Sequence, residues 1–254
     1  MAGIHFIGPN ILSYNPPVEA GPTWVTEDLY VYADPFAGFD GSTITDLSGN
    51  GVTITRGNSI TTTGAIGGTG GWDLDGQSPN ARYFYFNNPI ASATSYSIEV
   101  FFRVNSGVTF DGEPNMAAVL SGTFDLRFGM KKANENNITF AQAQDQSGNS
   151  KDSRSTTSMV DDNWHQWVYT YNTSTRLISL YKDANLVDSD TLGGSGNNFA
   201  GSTVDMYCMG PINGSFLWGW NGALGGLVRV YTKELSSDEV LQNYDANKAD
   251  YGLS

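Results

Sequence analysis

The segment 163–172, NWHQWVYTYN, sets the imidazole of His165 between the indole rings of Trp164 and Trp167. An imidazole acts as a general base when a nucleophile or carboxylate is aimed at it, and indole rings offer flat apolar faces for stacking. In a strand, alternate residues share a face, so His165 and Trp167 would belong to a row of rings on one side of a sheet. The pattern favours a structural or surface role for His165 over catalysis.

A second pair of tryptophans, Trp218 and Trp220, lies in the segment 215–222, SFLWGWNG. Together with Trp164 and Trp167, they are the candidate glycan-binding residues, because exposed indole rings can stack on sugars. The alternative is that these tryptophans fill the core of the protein, which is the commoner role of aromatic rows in strands.

The carboxylates give little support to hydrolysis. A retaining glycosidase places two carboxyl groups about 5 Å apart, which on one strand would show as alternating Glu and Asp. Glu99 stands alone in its strand-like segment, and Glu113 lies beside a proline. We therefore predict no catalytic residue and a protein that is not an enzyme.

Composition excludes several classes of partner. The formal net charge of -13 and a pI near 4.3 would repel a phosphate backbone, so nucleic acid is not an expected partner. Cys208 is the single cysteine, which excludes an intrachain disulfide and a multi-cysteine zinc site. The sequence contains no apolar run of about 18 residues and no visible secretory signal, so neither membrane insertion nor secretion is predicted.

Short segments with a period of two predict an all-β protein. They run from LYVYA (29–33) to GALGGLVRVY (222–231), with Asn-Gly, Asp-Gly and Gly-Gly turn signals between them. Near the C-terminus, Ser236 and Glu239 form a capping box that predicts one short helix.

The N-terminal residues differ from the rest. Residues 1–26 contain four of the nine prolines, which predicts an extended arm ahead of a sandwich domain over residues 27–254. The apolar side chains of this arm are expected to dock on a partner and to anchor the protein there: Ile4, Phe6, Ile7, Ile11, Leu12 and Trp24.

Several motifs occur in an order that resembles the laminin-G-like branch of the concanavalin A-like lectin and glucanase superfamily. The resemblance covers about residues 27–250 and rests on these segments: DLSGNG (46–51), WDLDG (72–76), SYSIEVFFRV (95–104), NWHQWVYTYN, RLISLYKDANLV (176–187) and GWNGALGGLVRVYTKELSSDEVLQNY (219–244). It implies a jelly-roll sandwich of two curved antiparallel sheets with one short C-terminal helix.

Other motifs are similar to those of laminin-G-like proteins among tailed-phage structural genes: GPNI (8–11), LYVYADP (29–35) and LQNYDANKADYGL (241–253). This likeness implies a non-enzymatic virion structural protein, a capsid decoration, neck, tail or fibre component assembled in the host cytoplasm. Its partners would be other virion proteins and copies of itself. Alternatives are a carbohydrate-binding module that adheres to glycans and, with less support, a polysaccharide hydrolase.

Calcium is the one cofactor that the sequence raises, and an ordinary turn is favoured over a calcium site. The oxygen-rich loop of residues 72–80 contains Asp75 and Asn80 but lacks the regular spacing of an EF-hand. Pentraxin-like members of the superfamily bind calcium near the final hairpin, where this chain offers only Asn213, with Asp125 near the other half of such a site.

Overall fold

The computed structural model describes residues 23–57, 60–64, 70–74, 82–88, 95–107, 114–120, 125–130, 137–145, 147–194, 205–210, 220 and 222–254. The strands in these ranges are β1 (Leu29–Ala33), β2 (Thr55–Gly57), β3 (Thr61–Thr63), β4 (Gly71–Asp73), β5 (Tyr83–Phe86), β6 (Ser95–Val104), β7 (Asn115–Leu120), β8 (Asp125–Met130), β9 (Ile138–Gln144), β10 (Ser150–Ser158), β11 (Trp164–Asn172), β12 (Leu177–Lys182), β13 (Asn185–Thr191), β14 (Met206–Cys208) and β15 (Ala223–Tyr231). Helix α1 (Ser237–Asn247) and a 3-10 helix (Lys248–Tyr251) follow them.

The strands form two antiparallel sheets. The first has the order β13-β12-β11-β6-β15-β4-β3, with β1 also paired to β15, and we call it the helix-side sheet. The second, the open sheet, has the order β10-β9-β8-β7-β14-β5-β2. This architecture confirms the predicted jelly-roll sandwich with a short C-terminal helix.

The core lies between the sheets because the long strands alternate as the sequence predicts. Along β6, Tyr96, Ile98 and Phe102 point inward, and along β11 Trp167 and Tyr169 do the same. The hydroxyls of Tyr96 and Tyr169 are 2.8 Å apart, so the two buried phenols form a hydrogen bond with each other inside the apolar core. Cys208 is fully buried in the same core, as expected for a small hydrophobic residue.

A second apolar cluster covers the outer face of the helix-side sheet. Phe101 and Trp164 project there from β6 and β11, and Val240 and Tyr251 meet them from the helical segment. The ring centroids of Phe101 and Tyr251 lie 4.3 Å apart in a stacked arrangement. The C-terminal helices therefore close one face of the sandwich.

Under helix α1, this face also holds a buried polar cluster, which we call the Glu99 cluster: Glu99, Gln166, Arg229, Asn243 and Asn247. The Glu99 carboxylate accepts hydrogen bonds from Gln166 Nε2 at 2.7 Å and from Asn243 Nδ2 at 2.9 Å. Arg229 lies 3.4 Å from the same carboxylate and donates to Asn247 Oδ1 at 2.9 Å. The cluster joins β6, β11 and β15 to the helix through charged and amide groups.

Helix α1 begins as the sequence predicts. The Ser236 hydroxyl accepts from the backbone of Glu239, and the Glu239 carboxylate accepts from the backbone of Ser236. Neither helix in the described ranges is long and apolar enough to cross a membrane.

The end of the predicted arm lies against the sandwich. The Val25 amide donates to Asn243 Oδ1 at 2.7 Å, and Tyr231 donates its hydroxyl to the Val25 carbonyl at 3.2 Å. Trp24 meets Tyr32 edge-on at 5.7 Å and is 37% exposed. The other predicted anchoring residues, Ile4, Phe6, Ile7, Ile11 and Leu12, lie outside the described residues, so the arm boundary stays a prediction.

Removing one partner from the Glu99 cluster should destabilise the fold strongly. Arg229→Ala would leave the Glu99 carboxylate buried without its counter-charge, which costs about 3–5 kcal/mol in the free energy of unfolding. Urea denaturation followed by circular dichroism measures this change.

The matched control is Lys151→Ala, because Lys151 forms an ion pair with Asp190 at 2.8 Å in which both side chains are well exposed. That variant should leave the free energy of unfolding nearly unchanged, because solvent screens an exposed ion pair. Equal losses for the two variants would contradict the structural role of the Glu99 cluster.

Candidate functional site

Seven cross-strand partners form one line across the outer face of the open sheet, which we call the transverse row. The registers of six strand pairs place the following residues side by side in this order: Thr55, Tyr85, Tyr207, Ala118, Arg127, Gln142 and Asp152. Aromatic, cationic, amide and acidic groups therefore share one line, in which the fully buried Ala118 separates Tyr207 from Arg127.

Three half-buried tyrosines form the tyrosine cluster: Tyr85 and Tyr207 of the row, and Tyr83, which lies beside them on β5. The rings of Tyr85 and Tyr207 are stacked with centroids 5.2 Å apart, and Tyr83 lies 5.8 Å from Tyr207. The alternation YFYF explains this placement, because Phe84 and Phe86 fill the core while the tyrosines point outward. Burial and the negative charge of Asp205 raise the pKa of Tyr207, so its phenol stays neutral.

Gly57 makes room for this cluster. It pairs directly with Tyr83 across the sheet, and a side chain at this position would collide with the Tyr83 ring. The ring therefore lies over a bare stretch of backbone, an arrangement known to stabilise glycine positions in sheets.

The polar part of the row is held in place by neighbouring side chains. The Arg127 guanidinium lies over the Phe140 ring at 5.1 Å, and its Nε lies 3.4 Å from Asn115 Oδ1. Asp152 pairs with Arg154 at 2.8 Å. Three strand spacings separate Tyr207 from Gln142, a span of about 14 Å. The surface therefore combines rings for stacking with fixed hydrogen-bonding groups at the distance of a short oligomeric ligand.

The tryptophans predicted to bind glycans lie elsewhere. Trp164, Trp167 and Trp220 are 3%, 0% and 1% exposed, so none of them presents a ring face to solvent. Trp164 packs under Tyr251 with ring centroids 4.9 Å apart, whereas Trp167 and Trp220 lie between the sheets. These three assignments are corrected to core residues, and Trp218 lies outside the described residues.

His165 bridges two carboxylates. Its Nδ1 lies 2.6 Å from Asp183 Oδ2 and its Nε2 lies 2.9 Å from Asp161 Oδ2. Asp183 Oδ1 also accepts a hydrogen bond from the backbone N–H of Gln166 at 2.9 Å. Burial acts to lower the pKa of His165, but the hydrogen bond and charge of Asp183, together with Asp161, outweigh it and raise that pKa. The imidazole thus ties the start of β11 to the turn between β12 and β13.

The carboxylates considered for hydrolysis have structural surroundings or lie outside the described residues. Glu99 is fully buried in its cluster, where Gln166, Asn243 and Arg229 surround the carboxylate. Glu113 lies outside the described residues.

The calcium candidates are only partly described. Asp75, Asn80 and Asn213 lie outside the described residues, and Asp125 begins β8, paired with Leu120. Among the side chains that the structure describes, no group of three or more His, Cys, Asp or Glu could hold a metal ion. The expectation of an ordinary turn rather than a calcium site therefore stays a prediction.

The two packed antiparallel sheets form a lectin-like β-sandwich. A family model described as Concanavalin A-like lectin/glucanases superfamily matches residues 75–241, more than half of the chain. The protein belongs to this family, Laminin_G_3, as the sequence motifs predicted. No curated protein sequence matches the chain.

Similar solved structures support the same fold. Domain 4 of AbnA, an extracellular arabinanase from Geobacillus stearothermophilus solved in complex with arabinotriose, has a TM-score of 0.64 and 15% identity, covering 85% of this chain and 98% of that one. The binding domain of botulinum neurotoxin serotype D has a TM-score of 0.63 and 14% identity, covering 87% of this chain and 51% of that one. This chain therefore spans about half the length of the neurotoxin domain.

The raised pKa of His165 predicts a pH-dependent stability. Because folding raises this pKa above the usual value of about 6.5, the stabilisation is fully present below the unfolded pKa. It is lost as the pH rises through the folded pKa. Denaturation at about pH 5.5 and about pH 8.5 should show a larger loss for the wild type than for His165→Gln.

Asp183→Asn provides the companion variant, because it removes the carboxylate nearest to the imidazole. It should reduce the same pH-dependent loss. Parallel pH profiles for the wild type and His165→Gln would show that the two carboxylates do not stabilise the protonated ring.

Proposed function

We propose that the protein is a non-catalytic glycan-binding module that holds a neutral oligosaccharide along the transverse row. The observation that carries this proposal is the stacked, half-exposed tyrosine cluster, in line with Arg127 and Gln142 across the open sheet. The function combines apolar stacking with hydrogen bonds, the two interactions that a sugar ring offers on its face and at its edge.

The ring geometry suits this role. Tyr85 and Tyr207 are stacked on each other with an interplanar angle of 22°, and together with Tyr83 they form a half-buried aromatic surface. Phenol rings present large contact area at low cost in side-chain entropy, and each hydroxyl adds a polar group at the rim.

The polar groups would fix the orientation of the bound chain. The Arg127 guanidinium can donate hydrogen bonds, the Asp152 carboxylate can accept them, and the Gln142 side-chain amide can do both. A sugar hydroxyl could therefore act here as either donor or acceptor. The net charge of -13 disfavours sialylated and sulfated glycans, which supports a neutral glycan as the ligand. Domain 4 of AbnA, which has a similar fold, was solved in complex with arabinotriose, and this supports a sugar as the ligand.

The first test is titration with arabinotriose, the ligand named for AbnA domain 4, measured by isothermal calorimetry. Tyr207→Ala should weaken binding about tenfold, because it removes the central ring of the cluster. Tyr244→Ala is the matched control: this half-buried tyrosine lies on α1, away from the open sheet, and its loss should leave affinity unchanged.

Melting temperatures of both variants verify that they fold. Binding should persist without calcium, and no reducing ends should appear on prolonged incubation. A panel of neutral oligosaccharides that shows no binding at millimolar concentration, or equal affinity of Tyr207→Ala and wild type, would overturn the proposal.

A virion structural protein is the second candidate and describes the setting in which such a module would act. The apolar, proline-rich residues 1–26 and the phage-like terminal motifs favour it. In this setting the sandwich would face the solvent, and other virion proteins or copies of the chain would bind the arm.

This second candidate predicts that the protein copurifies with virus particles from its source. Mass spectrometry of particles purified on a density gradient should find it at a copy number similar to that of other structural proteins. Its absence from such particles, with expression shown in the producing cells, would contradict the virion role.

A further inference from the structure

A cavity of about 220 Å³ lies on the outer side of the helix-side sheet. Three parts of the chain meet there: Trp24 before β1, the turn after β1 that contains Asp34, and the C-terminal 3-10 helix with Tyr251. The transverse row lies on the other sheet, so this cavity is separate from the proposed glycan site.

Four aromatic residues line it: Trp24, Tyr32, Phe36 and Tyr251. Trp24 and Tyr32 meet edge-on with centroids 5.7 Å apart. The Tyr251 ring is fixed at both ends, because its hydroxyl accepts from the Leu227 amide at 2.8 Å and its face stacks on Phe101. The walls are therefore preorganised.

Two carboxylates face the same cavity. Asp34 is held in place, since its Oδ1 accepts from the Phe36 amide at 2.7 Å and its Oδ2 accepts from the Tyr32 hydroxyl at 2.8 Å. Asp250 is exposed at the rim. The lining residues that the structure describes include no lysine, arginine or histidine.

A cationic side chain, that of Arg229, already contacts two of these rings. The Arg229 guanidinium lies 4.8 Å from the Trp24 ring and 4.5 Å from the Tyr32 ring. Its charge is paired with Glu99 at 3.4 Å, and Arg229 is not among the residues that line the cavity. The lining itself carries two carboxylates beside its aromatic residues.

We propose that this cavity binds an organic cation, namely an alkylammonium group. The negative faces of aromatic rings attract such cations, and carboxylates at the rim add to the attraction. Pockets for drug-sized ligands measure roughly 300–1,000 Å³, so a cavity of about 220 Å³ suits a single small head group. The net charge of -13 further favours a cationic ligand.

Choline is a suitable probe, and 3,3-dimethyl-1-butanol is its neutral counterpart of the same shape. Saturation-transfer NMR titrations on the full chain should show saturable choline binding with a Kd of about 1 mM. The neutral alcohol should bind about tenfold more weakly or not at all, because it lacks the charge. A lysine amide in a third titration distinguishes a free quaternary ammonium from a lysine side chain as the source of the cation.

Asp250→Asn tests the rim carboxylate with little change in shape. It should weaken choline binding about three- to tenfold, whereas Asp245→Asn, a partly exposed aspartate of α1 that does not line the cavity, should leave it unchanged. Trp24→Leu should abolish binding, and Trp24→Phe should retain part of it. Thermal melts of each variant show whether the fold is kept.

Tyr207→Ala should bind choline like the wild type, so a failure of the glycan proposal leaves this one standing. Equal binding of choline and its neutral counterpart would overturn the proposal of a cation site. An absence of binding by all three probes, or an unchanged affinity in Asp250→Asn, would overturn it as well.

Discussion

The buried carboxylate of Glu99 is the constraint on which the arrangement of the helix-side sheet depends. A charge without solvent is costly unless paired and hydrogen-bonded, and here Gln166, Asn243 and Arg229 surround it. These partners come from β11, α1 and β15, so satisfying one carboxylate fixes the helix over the sheet. Asn243 also binds the Val25 amide, which ties the segment before β1 to the same cluster.

This arrangement gives the two outer faces different roles. The helix-side sheet is covered by α1 and the 3-10 helix, so the large aromatic residues of its outer face, such as Trp164 and Phe101, are buried. The open sheet instead carries tyrosines and polar groups that are half exposed. Arg229 links the covered face to the aromatic cavity, because the guanidinium that balances Glu99 also supports the rings of Trp24 and Tyr32.

The fold was predictable because alternation and capping are local. The long strands and the capping box at Ser236 follow directly from the order of residues. The sites were not predictable in the same way. Alternation places Trp164 and Trp167 on opposite faces of the sheet. It does not indicate that helices cover the outer face, where Trp164 lies. The tyrosine cluster joins Tyr83 and Tyr85 to Tyr207, far along the chain, so only strand order brings them together. The alternation YFYF was the one local signal of outward rings.

Binding of sugar by the open sheet, as proposed above, depends on the tyrosine cluster. A crystal structure of the protein with arabinotriose would show where the sugar lies. Electron density for the sugar is expected against the rings of Tyr85 and Tyr207, with hydroxyls in reach of Arg127 or Gln142. Sugar bound only on the helix-side sheet, with the transverse row empty in crystals where that face is accessible, would contradict it.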